Sequence, residues 1–183
     1  MITAGDLLIA PACMPDPRFH KSVMLLSHDN SEGSFALCLN RPLNRQVYEI
    51  LDSRLDLTTN LNMTLYWGGP VNPQTIWMLH DSGWRCEHTI SVNDQWSMTS
   101  HISMFNHLAN GDYPAYFRVF SGYAAWSLGQ LEMELEGRGG WRPESSWLIA
   151  REVSPEWALE QDESDLWTQA VELSAKQAVG QWM

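Results

Sequence analysis

The chain has 183 residues, of which 44% are hydrophobic and 18% charged. This composition supplies enough apolar side chains for one buried core and differs from that of disordered chains. Its net charge is −11, and 11 of its 22 acidic residues lie between Glu132 and Glu172. Because nucleic acids are bound mainly through Lys and Arg, direct DNA or RNA binding is disfavoured.

The sequence offers no membrane anchor and no disulfide framework. No apolar run approaches the roughly 20 residues of a spanning helix, and no cation precedes the short apolar stretch near the N-terminus. Cys13, Cys38 and Cys86 are an odd number of widely spaced thiols without a C-x-x-C pair, which is typical of reduced cysteines. We therefore expect a cytoplasmic protein.

Three apolar runs of strand length open the chain, at residues 6–10, 22–28 and 34–40. The polar turn at residues 29–33 suits a hairpin, so the sheet is expected to begin antiparallel. Spacing predicts a short helix over 45–51, and residues 65–67, 76–80 and 90–98 are predicted as further strands.

The second half of the chain alternates helices and strands. Ser100 is predicted to cap a helix that ends near Gly111. A strand over 115–120 is expected to break at Ser121-Gly122, before helical spacing at 128–135 and a loop over 137–145. A last strand at 147–150 precedes a helix opened by Ser154-Pro155 and an amphipathic helix over 165–178. We predict a single domain over 1–183, of the α/β (α+β) class, in which helices flank a mostly antiparallel or mixed β-sheet.

The ten tryptophans are mostly expected in the core or just beneath the surface, because an indole buries a large apolar area. A partly exposed subset would suit protein contacts.

The motifs that carry catalysis or cofactors are not found. The glycine-rich stretches fit neither G-x-G-x-x-G nor a P-loop, and no G-x-S-x-G elbow occurs. His80, Cys86 and His88 lack zinc-site spacing, and Cys38 is expected to be an inert core thiol, whereas Cys13 is the more exposed one. We expect no metal, no cofactor and no catalytic residues, and the sequence favours a protein that is not an enzyme.

Several short motifs, read in order, resemble the AlgH/YqgE family of bacterial proteins. They are Gly5 to Ala10, Asp16-Pro17-Arg18-Phe19, Asn40-Arg41-Pro42, Gly68-Gly69-Pro70-Val71, and Gly122 to Trp126 followed by Gly129 to Glu132. The resemblance implies a compact α/β domain of uncharacterised biochemical function. Some family members are labelled transcriptional regulators, a label that implies no DNA-binding element.

The polar residues of these motifs have two interpretations. In one, Asp16 and Asn40 hold turns by bonding nearby backbone, while Arg41 and Glu132 form an ion pair. In the other, a set of polar residues near strand ends lines a pocket: Asp16, Arg18, His28, Asn40 and Arg41.

The leading functional hypothesis is an interaction or regulatory protein that acts through an unidentified protein partner, using exposed tryptophans and the acidic C-terminal third. The alternative is a small-molecule binder, or an enzyme of unrecognised type, with its site near residues 16–19 and 40–42.

Overall fold

A computed structural model describes residues 2–50, 62–138 and 142–180. The described residues form ten strands and four α-helices. The strands are β1 (Leu7–Ile9), β2 (Val23–Asn30), β3 (Gly33–Cys38), β4 (Pro42–Gln46), β5 (Thr64–Trp67), β6 (Val71–Asp81), β7 (Ile90–Ser91), β8 (Trp96–Thr99), β9 (Phe117–Trp126) and β10 (Leu148–Ala150). The helices are α1 (Ser103–Ala109), α2 (Gln130–Leu135), α3 (Pro155–Glu160) and α4 (Glu163–Gly180).

The strands pair into one sheet in the order β10-β1-β2-β3-β9-β6-β8-β7. All of these pairings are antiparallel, including the predicted β2–β3 hairpin. β5 lies parallel to the first half of β9 and carries β4 on its other edge. The expected α/β class with a mostly antiparallel, mixed sheet is confirmed.

Strand β9 organises the sheet because its two halves have different neighbours. Residues 119–121 pair with β5, residues 124–126 pair with β3, and β6 runs along the opposite edge. The predicted break at Ser121-Gly122 is wrong: the strand continues through Gly122, whose φ of 71° bends it without ending it.

Glycine is required where the β5–β6 turn crosses β9. A Cβ atom on Gly69 would lie 2.1 Å from the backbone carbon of Tyr123, and one on Gly122 would lie 2.6 Å from the Gly69 oxygen. No side chain fits such distances, so this close backbone approach explains the Gly-Gly-Pro motif.

Helices cover the sheet in separate patches. On one face α3 and α4 pack on β1, β2 and β9 through Ala158, Leu166 and Ala170. On the other face α2 contributes Leu131 to a buried cluster that also contains Met24 and Ala124. α1 closes a third cluster, burying Met104, Phe105 and Leu108.

Three local predictions are wrong for identifiable reasons. Residues 90–98 form the two short strands of a β7–β8 hairpin, because the Asn93 side chain accepts from the backbone N–H groups of Gln95 and Trp96 and makes a turn. The helix predicted at 100 begins at Ser103, where the His101 ring accepts from the Ser103 N–H. The helix predicted over 45–51 does not form: residues 45–46 end the edge strand β4, and Val47–Glu49 make a 3-10 turn. Leu51 lies outside the described residues.

The opening of α3 is confirmed. Ser154 caps it by accepting from the Trp157 N–H, and Pro155 occupies its first turn. Among the described residues, none of the helices combines the length and the apolar composition that a membrane crossing requires.

Candidate functional site

The loop between β1 and β2 contains a 3-10 turn, Pro17–Phe19, that fixes the first predicted site residues. Asp16 caps the turn by accepting from the Arg18 N–H at 2.9 Å. The Arg18 guanidinium folds back on the same carboxylate, with Nη2 2.7 Å from Oδ2. This hydrogen bond lowers the pKa of Asp16, so the pair is ionised and largely self-neutralising near pH 7.

Asn40 joins the end of this loop to the end of β3. Its Oδ1 accepts from the Val23 N–H and its Nδ2 donates to the Lys21 carbonyl, each at 2.9 Å. Lys21 has a φ of 56°, a backbone conformation that such side-chain bonds stabilise. Asn40 and Asp16 therefore do hold turns, as the first interpretation expected.

Arg41 lies beside this junction and faces a hollow that also contains Arg18. Its Nη2 donates to the His20 carbonyl. The hollow has a volume of about 350 Å³ and is lined by Arg18, Arg41, Pro42, Leu43 and Trp67. We call it the arginine hollow.

Trp67 reaches the arginine hollow through strand pairing that sequence spacing does not reveal. The backbone N–H of Trp67 donates to the Arg41 carbonyl at 2.8 Å, which brings the end of β5 beside the 40–42 turn. The Phe19 ring packs against Trp67 with a centroid distance of 5.9 Å. One side of the hollow is thus an indole supported by a second ring.

A second, more polar hollow of about 360 Å³ lies near the start of α4. It is lined by Pro17, His20, Lys21, Asn40, Arg41, Glu163, Ser164, Trp167 and Thr168. The Lys21 ammonium stands 5.5 Å from the Trp167 ring centroid, so that cation is already engaged. Arg41 lines both hollows.

Of the predicted site residues, Arg18, Asn40 and Arg41 lie around this junction, with Asp16 held to Arg18. His28 does not join them, since it lies five residues beyond Val23 along β2, roughly 16 Å away. It lines a different hollow, with Phe35 and Tyr123. Burial lowers the pKa of His28.

The expected pairing of Arg41 with Glu132 is wrong. Glu132 is exposed on α2, and Arg41 makes no ion pair with any residue in the described ranges. The acid that α2 buries is Glu134, two residues further along.

The three thiols are unpaired. Burial raises the pKa of Cys38 to about 12, which fits an inert core thiol. Cys13 is exposed and Cys86 is half-buried. Within residues 2–50, 62–138 and 142–180, no three His, Cys, Asp or Glu side chains are grouped to hold a metal ion.

A family model described as AlgH-like matches residues 7–178. The chain belongs to the AlgH-like family. Among similar AlgH-like relatives is a UPF0301 protein of Ralstonia nicotianae, 34% identical over 75% of this chain and 73% of the relative. A UPF0301 protein of Photobacterium profundum is 32% identical over 93% of this chain and 91% of its own.

Two solved structures have a fold similar to that of this chain. The solution structure of the AlgH protein from Pseudomonas aeruginosa superposes with a TM-score of 0.76 at 26% identity, covering 93% of this chain and 87% of that protein. A protein from Corynebacterium diphtheriae gives a TM-score of 0.70 at 21% identity, covering 92% and 85%, and shows the shared fold alone. The family consists of uncharacterised proteins, so function has to be argued from the site.

Proposed function

We propose that this protein binds a small organic anion in the arginine hollow. The single observation that carries the proposal is the position of Arg41, a cation without an acidic partner in the described ranges, beside the Trp67 indole. Ligand pockets commonly combine apolar walls with a few charged groups, and a volume of about 350 Å³ lies within their usual range.

The charges around the hollow define the ligand further. Arg18 is compensated by Asp16, so Arg41 supplies the positive charge that an incoming group meets. One such guanidinium suits one carboxylate or phosphate monoester, which it can engage with two hydrogen bonds. A polyphosphate would need more cations, and the net charge of −11 would repel it.

The apolar side of the hollow indicates that the anion carries a hydrophobic body. Trp67, Leu43 and Pro42 offer an indole, an isobutyl group and a ring to such a body. A bare inorganic anion would leave these surfaces unused, whereas an aryl or alkyl acid would cover them.

A thermal-shift screen of aryl and alkyl carboxylates and phosphate monoesters tests the proposal. At least one acid should raise the melting temperature in a concentration-dependent manner. The effect should disappear in Arg41→Gln and persist in the matched control Arg45→Gln, since Arg45 is an exposed arginine four residues away. A panel in which no acid stabilises the protein would contradict the proposal.

A second candidate function is a regulatory contact with a basic protein partner. Glu156, Glu160, Asp162 and Asp165 are exposed on α3 and around the start of α4, and they form an acidic surface. The tryptophans lend this candidate no support, because all eight that the structure describes are buried or half-buried. Binding of a lysine-rich peptide that is lost when these acids are replaced by their amides would favour it.

A further inference from the structure

A hollow distant from Arg41 carries a separate inference. It has a volume of about 540 Å³ and lies over β3, β6 and β9. Three half-buried rings, Phe35, Trp77 and Tyr123, lie along it on neighbouring strands. We call these three rings the aromatic corner.

Strand register builds the aromatic corner. Phe35 pairs with Ala125 across β3 and β9, so a small exposed residue stands opposite a large ring. Tyr123 lies two residues before Ala125, on the same face of β9. Ala125 therefore leaves open the space that a larger residue would fill.

The ring geometry favours a compact group over a flat one. Phe35 and Tyr123 stack on each other at a centroid distance of 4.4 Å. A planar ligand between two rings needs about 7 Å, twice a van der Waals contact, so this pair cannot act as a slot. Trp77 stands at 70° to Phe35 and at 88° to Tyr123, and such perpendicular walls suit a rounded group.

The charges around the hollow favour a cation. None of the residues that line it is a lysine or an arginine, and Glu32 contributes an exposed carboxylate at the rim. His28 also lines the hollow, and the burial that lowers its pKa keeps it neutral at pH 7. An anion would find no positive partner there, whereas a cation meets electron-rich rings and one carboxylate.

We propose that the aromatic corner binds a small organic cation with a quaternary ammonium head. The methyl groups of such a head contact ring surfaces, and its diffuse positive charge interacts with the ring quadrupoles. Glu32 supplies the longer-range attraction.

The experiment compares choline with its neutral isostere 3,3-dimethylbutan-1-ol on the intact chain. Each compound is titrated while the indole N–H resonance of Trp77 is followed by NMR. Choline should shift this resonance with saturation, and the isostere should bind about tenfold more weakly, because it has the same shape without the charge.

Variants locate the site. Tyr123→Leu should weaken choline binding about tenfold, while Tyr123→Phe, which keeps the ring, should retain it. Tyr113→Leu is the matched control, since Tyr113 is an exposed tyrosine that stacks on Phe117 away from the hollow. If Tyr123→Leu fails to fold, the comparison of choline with its isostere still decides. Equal binding of the two compounds, or a Trp77 resonance that choline leaves unmoved, would overturn the proposal.

Discussion

Trp126 and Trp147 share one acceptor: each donates its indole N–H at 2.9 Å to Oε2 of Glu134. Their rings meet edge to face at a centroid distance of 6.0 Å. Glu134 is only 6% exposed, and its other oxygen accepts from Gln130 at 3.0 Å. One buried carboxyl group therefore fixes two large rings between α2, β9 and the start of β10.

Removing that acceptor should destabilise the fold strongly. Glu134→Leu leaves two buried indole N–H groups without this partner, and we expect the free energy of unfolding to fall by about 2–4 kcal/mol. Urea unfolding measures the change. Glu132→Leu, on the exposed side of the same helix, is the matched control and should change little; equal effects of the two variants would contradict the assigned role.

The close approach of Gly69 to β9 predicts that two glycine-to-alanine variants differ in stability. Gly129→Ala adds a methyl group at a backbone φ of 76°, with no atom within 4 Å of it. The free energy of unfolding should fall only by the roughly 1–2 kcal/mol that a non-glycine residue costs in the left-handed conformation. Gly69→Ala adds a clash with the Tyr123 backbone, so its free energy of unfolding should fall clearly further. Comparable melting temperatures of the two variants would argue against the close approach.

Stability should decline as the pH falls below about 6.5. Burial lowers the pKa of His80, which is fully buried beside Trp84. The unfolded chain takes up this proton near pH 6.5, whereas the folded chain resists it, so the unfolded state binds more protons as the pH falls. His28 acts in the same direction. Unfolding at pH 7.5, 6.5 and 5.5 should give decreasing free energies, with a smaller decrease in His80→Gln. Stability that rises toward pH 5.5 would contradict this.

Replacing the buried Arg118 should lower the stability of the fold. Arg118 is 7% exposed, and it donates to the carbonyls of Leu39, Leu159 and Gln161 at 2.7–3.1 Å. Its guanidinium lies 4.8 Å from the Tyr66 ring centroid. Arg118→Met should lower the free energy of unfolding by about 3–5 kcal/mol, because three acceptors lose their donor together.

Chemical denaturation checks the Arg118 prediction. The exposed Arg138→Met provides the matched control, and it should unfold near the wild-type midpoint. A wild-type midpoint for Arg118→Met would show that water replaces the guanidinium without loss.

The sequence predicts those features of the fold that neighbouring residues determine, and it does not predict those that depend on contacts between distant segments. The α3 start was predictable because Ser154 and Pro155 act within one turn. The course of β9 through Gly122 was not, because a glycine with positive φ ends one strand and bends another, and only the pairing partners β3, β5 and β6 decide which.

The candidate site divides in the same manner. The sequence predicts that Arg18 and Arg41 lie close together, because their loops lie near the ends of neighbouring strands. The position of Trp67 could not be predicted, since it lies on β5, which is distant in sequence from the 40–42 turn and meets that turn only through its pairing with β4. His28 was misplaced because its separation from that turn depends on the full length of β2.

The proposed function requires Arg41 and Trp67 together to hold an organic anion. To test this, the most stabilising acid of the screen is titrated into labelled protein while the Trp67 indole resonance is followed by NMR. We predict a saturable shift of Trp67 and an affinity roughly 10–100-fold weaker in Arg41→Gln, as loss of a charged hydrogen bond implies. An unmoved Trp67 resonance, or an affinity that Arg41→Gln leaves unchanged, would exclude an anion site formed by Arg41 and Trp67.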